Sequence, residues 1–503
     1  MKITLPIALA LSLLLHAGCN SLEDIPSDNP DDDIPDTEVT DSTEVKDTIP
    51  PIDSSAIEKP DVPPVISGEL SDPGLLYVWD GSVIPEITVH ITEDEWNRLL
   101  LRYDEFSHNV DYFHADFTYR KGDETFFIED GGLRLRGNTS RRRPEGRPGE
   151  LHNSKDPDWH HCHFGINFRK YHKDSDHTIK GIRKVNLKWF KDDPCYVREL
   201  YCYDLFRRYG IWTAAYSTYC RLWIDVEGDS NPVYYGVYNM IEPIDDEFIE
   251  RRVEGMFKKE DGFLWKCCHN GNKADLNGTD GDFAPDLDNG INYTYEFKGD
   301  EEDFAEAEAQ LKDFILKLSG KGEESFYKWI QEVCDVEFLL KTYAVNVAVG
   351  MWDDHWNNGN NFYLYFNTRD KYDYEFFFIP YDYDNTLGTS NTYDPARQNP
   401  YDWGNDGLLM ERLMRFDDFK AIYRDALKEL ADPARQLFHP DASIPRVLDW
   451  QEKISPYVFN GTGEDISIYD KPGSWGHYGH YRLMTDGSDN FFRVKTETIN
   501  NMK

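Results

Sequence analysis

Basic residues are scarce in this chain: 54 Lys and Arg against 93 Asp and Glu leave a formal net charge of −39 over 503 residues. A surface so negative repels phosphate backbones, which excludes nucleic acid as a partner. Cysteine is sparse and unpatterned. Of the eight, Cys19 stands alone near the start. Cys162, Cys195, Cys202, Cys220, Cys267, Cys268 and Cys334 form an odd set without paired metal-binding spacing, so a disulfide framework is not indicated and small buried apolar residues are the plain reading. No internal repeat is visible, and after the first residues no apolar run is long enough to cross a membrane.

What is present begins with a leader. Met1 and Lys2 precede an apolar stretch from Leu5 to Leu15 that ends at Ala17, Gly18 and Cys19, the basic start, short apolar core and small-residue exit of an export signal. Its end resembles a bacterial lipoprotein signal, in which Cys19 becomes the acylated first residue; simple cleavage without lipid is the alternative. Residues 20–68 are Asp, Glu, Pro, Ser and Thr with hardly an aromatic, and residues 20–67 hold 14 acids against Lys46 and Lys59. Such a segment buries too little to offset its ordering entropy and reads as a flexible, self-repelling tether. Acids soon after the cysteine also resemble the surface-export signals of Bacteroidetes lipoproteins. The expectation is an outer-membrane lipoprotein at the cell surface, touching the membrane only through Cys19.

The residues beyond the tether exceed one ordinary core, so two lobes are expected, 69–242 and 243–503. In the first, strands are expected at Pro85 to Ile91, Val110 to Tyr119, Glu124 to Ile128 and Leu133 to Leu135, with a helix from Glu93 to Tyr103 capped by Thr92. Arg136-Gly137-Asn138-Thr139-Ser140-Arg141-Arg142-Arg143 follows, where glycine, hydroxyls and four arginines at a strand end make an anion cradle. Lys184 to Trp189 alternates as a strand, with Lys184, Asn186 and Lys188 on one face. A helix from Tyr196 to Arg208, with Asp192 or Asp193 at its start, carries Glu199 in its first turn. A strand lysine facing a helix glutamate orients α- and β-phosphates in kinase-type enzymes, although a surface ion pair is the blander reading. A hairpin, Tyr219 to Val226 with Val233 to Ile241, ends at Glu242-Pro243, where proline ends the strand and the lobe. Glu242 there is positioned to hold a ribose or a cation, or is a plain end-of-strand carboxylate.

The densest chemistry lies between Asn346 and Gly388. Phe362 to Phe366 and Tyr374 to Pro380 read as an antiparallel pair. Asp353, Asp354, Asn357, Asn358, Asn360 and Asn361 lie just before the first strand, and Asp382 and Asp384 just after the second, so pairing brings both groups to one edge. Carboxylates and carboxamides crowded there repel unless a hard cation sits among them, and magnesium prefers such oxygens with a phosphate completing its shell. The residue-level reading is metal-assisted phosphoryl transfer.

Gly132-Leu133-Arg134-Leu135-Arg136-Gly137-Asn138-Thr139-Ser140, Tyr235-Gly236-Val237-Tyr238 with Glu242, Trp352-Asp353-Asp354-His355 with Asn360-Asn361, and Pro380-Tyr381-Asp382-Tyr383-Asp384 together resemble the CotH family, the spore coat protein H-like atypical kinases, in the family's order from about Pro85 onward. The resemblance implies an α+β, divergent two-lobed protein-kinase-like fold, with an antiparallel-sheet N-lobe and a mostly helical C-lobe. It implies transfer of phosphate from ATP, with Mg2+ or Mn2+, to hydroxyls of a Ser/Thr-rich protein. Carried onto matching positions, it makes Asp353 the residue that orients or deprotonates the acceptor hydroxyl, with Asp354 as second choice. Asn358, five residues after Asp353, or Asn360 and Asn361, supply the metal-binding amides, and Asp382 and Asp384 the metal-binding acids. By analogy of fold, Lys188 and Glu199 are the phosphate-binding pair and Lys266 a second nucleotide contact.

Two other readings compete. Phe376 to Leu387 matches the haloacid-dehalogenase phosphatase signature, with Asp382 as nucleophile, but only 115 residues follow Gly388 to hold the rest of that site. A surface adhesin or glycan-binding protein on an inactive kinase-like fold is the second, and metal-dependent nucleotide binding discriminates it.

Overall fold

Alternating residues from Glu86 onward build a closed barrel, because each strand has one apolar face to bury and its neighbours close the ring. The computed structural model describes residues 52–60, 70–173, 176–286, 291–473, 476 and 480–502. The leader and its Cys19, and most of the tether, lie outside these residues.

The barrel strands are β1 (Glu86–Ile91), β2 (Phe113–Lys121), β3 (Glu124–Arg136), β4 (His163–Asn167), β5 (Lys184–Lys188), β6 (Ser217–Val226) and β7 (Val233–Ile241), in the order β1-β2-β3-β4-β5-β7-β6. The expected antiparallel sheet needs one correction: β1 and β6 pair in parallel. With seven strands alternating in direction round a closed ring, the first and last must point the same way. Val89, Phe117, Leu133, Phe164, Leu187, Leu222 and Met240 fill the interior.

The two short strands expected at 124–128 and 133–135 are one, β3. Its register slips opposite Asp116, where Asp130 takes φ 52°. Gly131 and Gly132 carry the chain through this bulge: a Cβ would lie 2.8 Å from the Phe117 ring at the first and 2.6 Å from Tyr112 at the second.

Helices α1 (Pro73–Val78) and α2 (Glu93–Glu105) flank the barrel, and Thr92 Oγ1 caps α2 by accepting from Glu95 N at 3.2 Å. Helix α3 (Arg198–Arg208) comes between β5 and β6, yet its Tyr201, Cys202, Leu205 and Phe206 belong to the second, larger core. Asp193, rather than Asp192, holds its start, accepting from Val197 N and Arg198 N at 2.8 Å.

After Ile241 the chain becomes largely helical. A five-stranded sheet, β8 (Phe263–Cys267), β9 (Phe283–Pro285), β10 (Tyr295–Phe297), β11 (Phe362–Phe366) and β12 (Phe376–Pro380), runs in the order β12-β11-β8-β10-β9. Around it pack α4 (Asp246–Glu250), α5 (Phe304–Gly320), α6 (Glu323–Val333), α7 (Val336–Ala348), α8 (His355–Asn358), α9 (Leu408–Leu413), α10 (Asp417–Ala431), α11 (Pro440–Ile454) and α12 (Phe491–Asn500). The mixed α+β organisation, a barrel followed by a helical region, is consistent with a two-lobed kinase-like arrangement.

The tether ends sooner than its composition implies. Ile52 bridges Phe416, donating to Arg415 O at 2.7 Å and accepting from Asp417 N at 3.2 Å. Ile57 packs on the same core and Lys59 pairs with Asp418 at 3.2 Å. Two isoleucines among the acids give these residues something to bury.

Candidate active site

Strand register positions the site. Leu135, Phe164, Leu187 and Met240 are successive cross-strand partners on β3, β4, β5 and β7, and all four lie in the barrel core. The adjacent row, Arg136, His163, Lys188 and Asn239, therefore stands on the outer face. Helix α3 covers that row and delivers Glu199 to it.

Lys188 Nζ lies 2.8 Å from Glu199 Oε2, 2.6 Å from Asp382 Oδ1 and 3.3 Å from Asp384 Oδ2. Burial works against its charge, but Asp382, Asp384 and Glu199 outweigh burial and hold its pKa well above the ordinary lysine value. Burial raises Glu199 despite Lys188, and raises Asp384 to about 7. Asp382, desolvated but beside Lys188, Arg136 and Lys266, stays below the usual carboxylate range. Asn239 Nδ2 donates to Glu199 Oε2 at 3.4 Å.

Strands β11 and β12 pair antiparallel with Phe362 opposite Pro380, so Asn361 and Tyr381 emerge at one edge. Asp382 takes φ 61°, a left-handed turn that Asp tolerates, and its N–H donates to Tyr203 Oη at 3.2 Å. Across the cleft Asp353 is gripped by amides. Asn358 and Asn360 donate to Oδ1 at 2.7 and 3.0 Å, and Asn361 to Oδ2 at 3.1 Å. Burial lifts its pKa, the Asn358 and Asn360 amides oppose the lift, and Asp382 adds to it.

Arg136, Lys188, Glu199, Glu242, Lys266, Asp353, Asn360, Asn361, Asp382 and Asp384 line one cleft of about 420 Å3, the size of a small-ligand site. Asp354 and Asn358 are not among its lining residues. Asp354, 3 % exposed, caps α8 by accepting from Asn357 N at 2.8 Å and also takes the Asn346 amide. Asn358 supports Asp353 from behind. Asn360 turns its oxygen to His269 N at 2.8 Å, so it too orients Asp353 rather than offering a free ligand. Glu242 is committed elsewhere: Arg252, fully buried, reaches both its oxygens at 2.7 and 2.6 Å, making it a structural pair rather than a holder of ribose or cation.

The arginine loop is reorganised relative to its sequence reading. Arg143 is held by Asp104 at 2.9 and 3.1 Å, and Arg142 by Glu464 at 2.7 Å. Arg141 donates to the carbonyls of Leu135, Gly137 and Ser107 at 3.0 to 3.1 Å. Neither Arg136 nor Arg141 pairs with a carboxylate among the described residues, but Arg141 is spent on those carbonyls whereas the Arg136 guanidinium lies at the cleft, 3.4 Å from Tyr381 Oη. The loop's Gly137, Asn138, Thr139 and Ser140 still face the cleft. Lys266 is held by Asn292 Oδ1 at 3.2 Å, and Cys268, Glu296, Tyr381 and Asp382 raise its pKa against the effect of burial. His163 and Tyr203 were not signalled by the sequence. One starts a five-residue strand broken by Gly165, the other sits inside an ordinary helix, and only register and packing bring them here.

A family model described as CotH kinase protein matches residues 133–469, well over half of the chain. The chain belongs to the CotH kinase family. No curated protein matches it. The CotH region starts inside β3 and ends at Tyr469, a narrower span than the motifs led one to expect. Strands β1 and β2 precede it, although they close its barrel.

Asp382 and Asp384 converge on one side of the Lys188 ammonium at the cleft, two neighbouring carboxylates that could hold a divalent cation. Among the described residues no cluster of three or more His, Cys, Asp or Glu forms a ready-made metal cage. Two carboxylates completed by substrate phosphate is the usual provision for magnesium. All seven described cysteines are free and buried.

Proposed function

We propose that the chain transfers the terminal phosphate of ATP to serine or threonine hydroxyls of a protein, with Mg2+ or Mn2+. The observation that carries this reading is the convergence on one cleft of Lys188 with Glu199, Asp382 and Asp384, facing the amide-gripped Asp353. Arg136, Lys188 and Lys266 bind phosphate oxygens. Asp382 and Asp384 would hold the cation, which when bound neutralises charge on the transferring group. Asp353 orients the acceptor hydroxyl and takes its proton, its two oxygens fixed by Asn358, Asn360 and Asn361. Positioning and charge neutralisation supply most of the rate in such reactions.

Transfer from labelled ATP, compared between the native chain and Asp382→Ala, tests the reading. Labelling of the enzyme or of a serine-rich peptide is expected to fall by roughly 100-fold or more in the variant. Equal labelling of both forms overturns it. Absence of any thermal shift with ATP and Mg2+ or Mn2+ transfers support to a surface-binding module. The phosphatase alternative is disfavoured because Asp382 follows β12, an edge strand paired antiparallel, and is already salt-bridged to Lys188.

We place the domain at the outer-membrane surface through a lipid on Cys19 and the acidic segment after it. Fatty-acid labelling abolished by Cys19→Ala, and cleavage of the domain by protease added to intact cells, are the expected results.

A further inference from the structure

We propose that His163 is a neutral hydrogen-bond donor to nucleotide phosphate, offering Nε2–H from the row that also presents Arg136 and Lys188; the inference rests on the nucleotide reading above. Trp189 N donates to His163 Nδ1 at 3.0 Å. A backbone N–H has no lone pair, so Nδ1 is the acceptor and the single proton of the neutral ring is on Nε2. Burial, together with Lys188 and Arg136, disfavours the charged ring.

The side chain is placed for this work. His163 is 3 % exposed and lines the cleft. Among the described residues nothing hydrogen-bonds Nε2, and it is not one of the sealed polar atoms left without a partner, so it opens on the cleft, where water or a ligand can meet it. Gly137, at φ 104°, lies against the ring edge: a Cβ there would stand 3.1 Å from Cδ2, the carbon bonded to Nε2, and 2.8 Å from Ser140 Oγ. A phosphate resting on the Gly137–Ser140 loop thus meets Nε2–H beside two permanent cations. A third cation would repel both of them, while a neutral donor adds direction without charge.

The competing role is purely structural: His163 would only hold the Trp189 amide. Two isosteres separate the roles in the full-length chain. In His163→Asn the side-chain oxygen replaces Nδ1 and keeps Trp189 satisfied, but nothing replaces Nε2. In His163→Gln the amide nitrogen replaces Nε2 and the Trp189 contact is lost. Calorimetric titration with a non-hydrolysable ATP analogue and Mg2+ should show Kd raised about tenfold or more in His163→Asn with Tm near native. His163→Gln should bind within about threefold of native with a lowered Tm. Native affinity in His163→Asn overturns the inference and leaves the kinase reading intact, whereas no binding by the native chain removes both. Should His163→Asn not fold, nitrogen NMR of the native histidines decides: an Nε2–H tautomer whose Nε2 resonance moves on nucleotide binding supports the role, and an Nδ1–H tautomer or an unmoved resonance overturns it.

Discussion

Asp353 and Asp354 are neighbours in sequence and opposites in place. Residue 353 faces the cleft in a cage of three amides, while residue 354 turns inward to cap α8. Asp353→Asn is expected to lower kcat by roughly 100-fold, because charge at the acceptor is lost, and to lower Tm modestly, because its new amide N–H faces the Asn donors that hold the carboxylate. Asp354→Asn keeps the capping oxygen and should retain activity. Its signature is in stability against pH. Burial raises Asp354 to about 8, far above an unfolded aspartate, so the folded state holds the extra proton between about pH 4 and 8. Its contribution is complete below that window and lost as pH rises through it. The asparagine variant lacks this loss, and its Tm relative to native should climb between pH 5 and 8; parallel melting curves would contradict the assignment. The doubled Asp left this choice open in the sequence, because which of two adjacent side chains turns inward depends on Asn346, eight residues earlier, and on the rim of the cleft.

At the scale of elements, α3 ties the two cores together. Glu199 and Tyr203 lie one turn apart on it, the first paired with Lys188 and the second accepting from Asp382 N. Tyr203→Phe removes that acceptor at a net cost of about 1 kcal/mol and loosens the turn carrying the metal acids. The expected result is a higher metal concentration for half-maximal transfer, with ATP affinity in excess metal nearly unchanged; an unchanged metal dependence would show Tyr203 to be only filler. Elements with strong local patterns were legible: β11 and β12 from their aromatic runs, α2 from Thr92, and the β6–β7 hairpin from its turn. Strand β4 was not, because His163 to Asn167 is too short and too mixed to show a period. The arginine loop was legible as basic but not as a cradle. The partners that occupy Arg142 and Arg143, Glu464 and Asp104, lie far away in sequence.

For the whole molecule, barrel closure sets the smallest folding unit. Strands β1 and β2 lie outside the family match yet complete the ring, and β1 seals it against β6. A chain beginning at Leu133 should therefore express as an aggregating species without a cooperative melt, whereas one beginning at Pro50 should melt cooperatively. Removing residues 50–60 as well should lower Tm by several degrees, since Ile52 and Ile57 leave the core they cover. The change from barrel strands to a largely helical region after Ile241 was legible from Glu242-Pro243; the parallel seam was not, because pairing between the first and sixth strands is a property of the closed ring.

The bridge between Ile52 and Phe416 also decides how the protein bears mechanical load. Any pull transmitted along the N-terminal extension arrives first at the two backbone hydrogen bonds beside α10, not at the barrel. Under such tension that junction is expected to part before the barrel does, leaving the cleft intact.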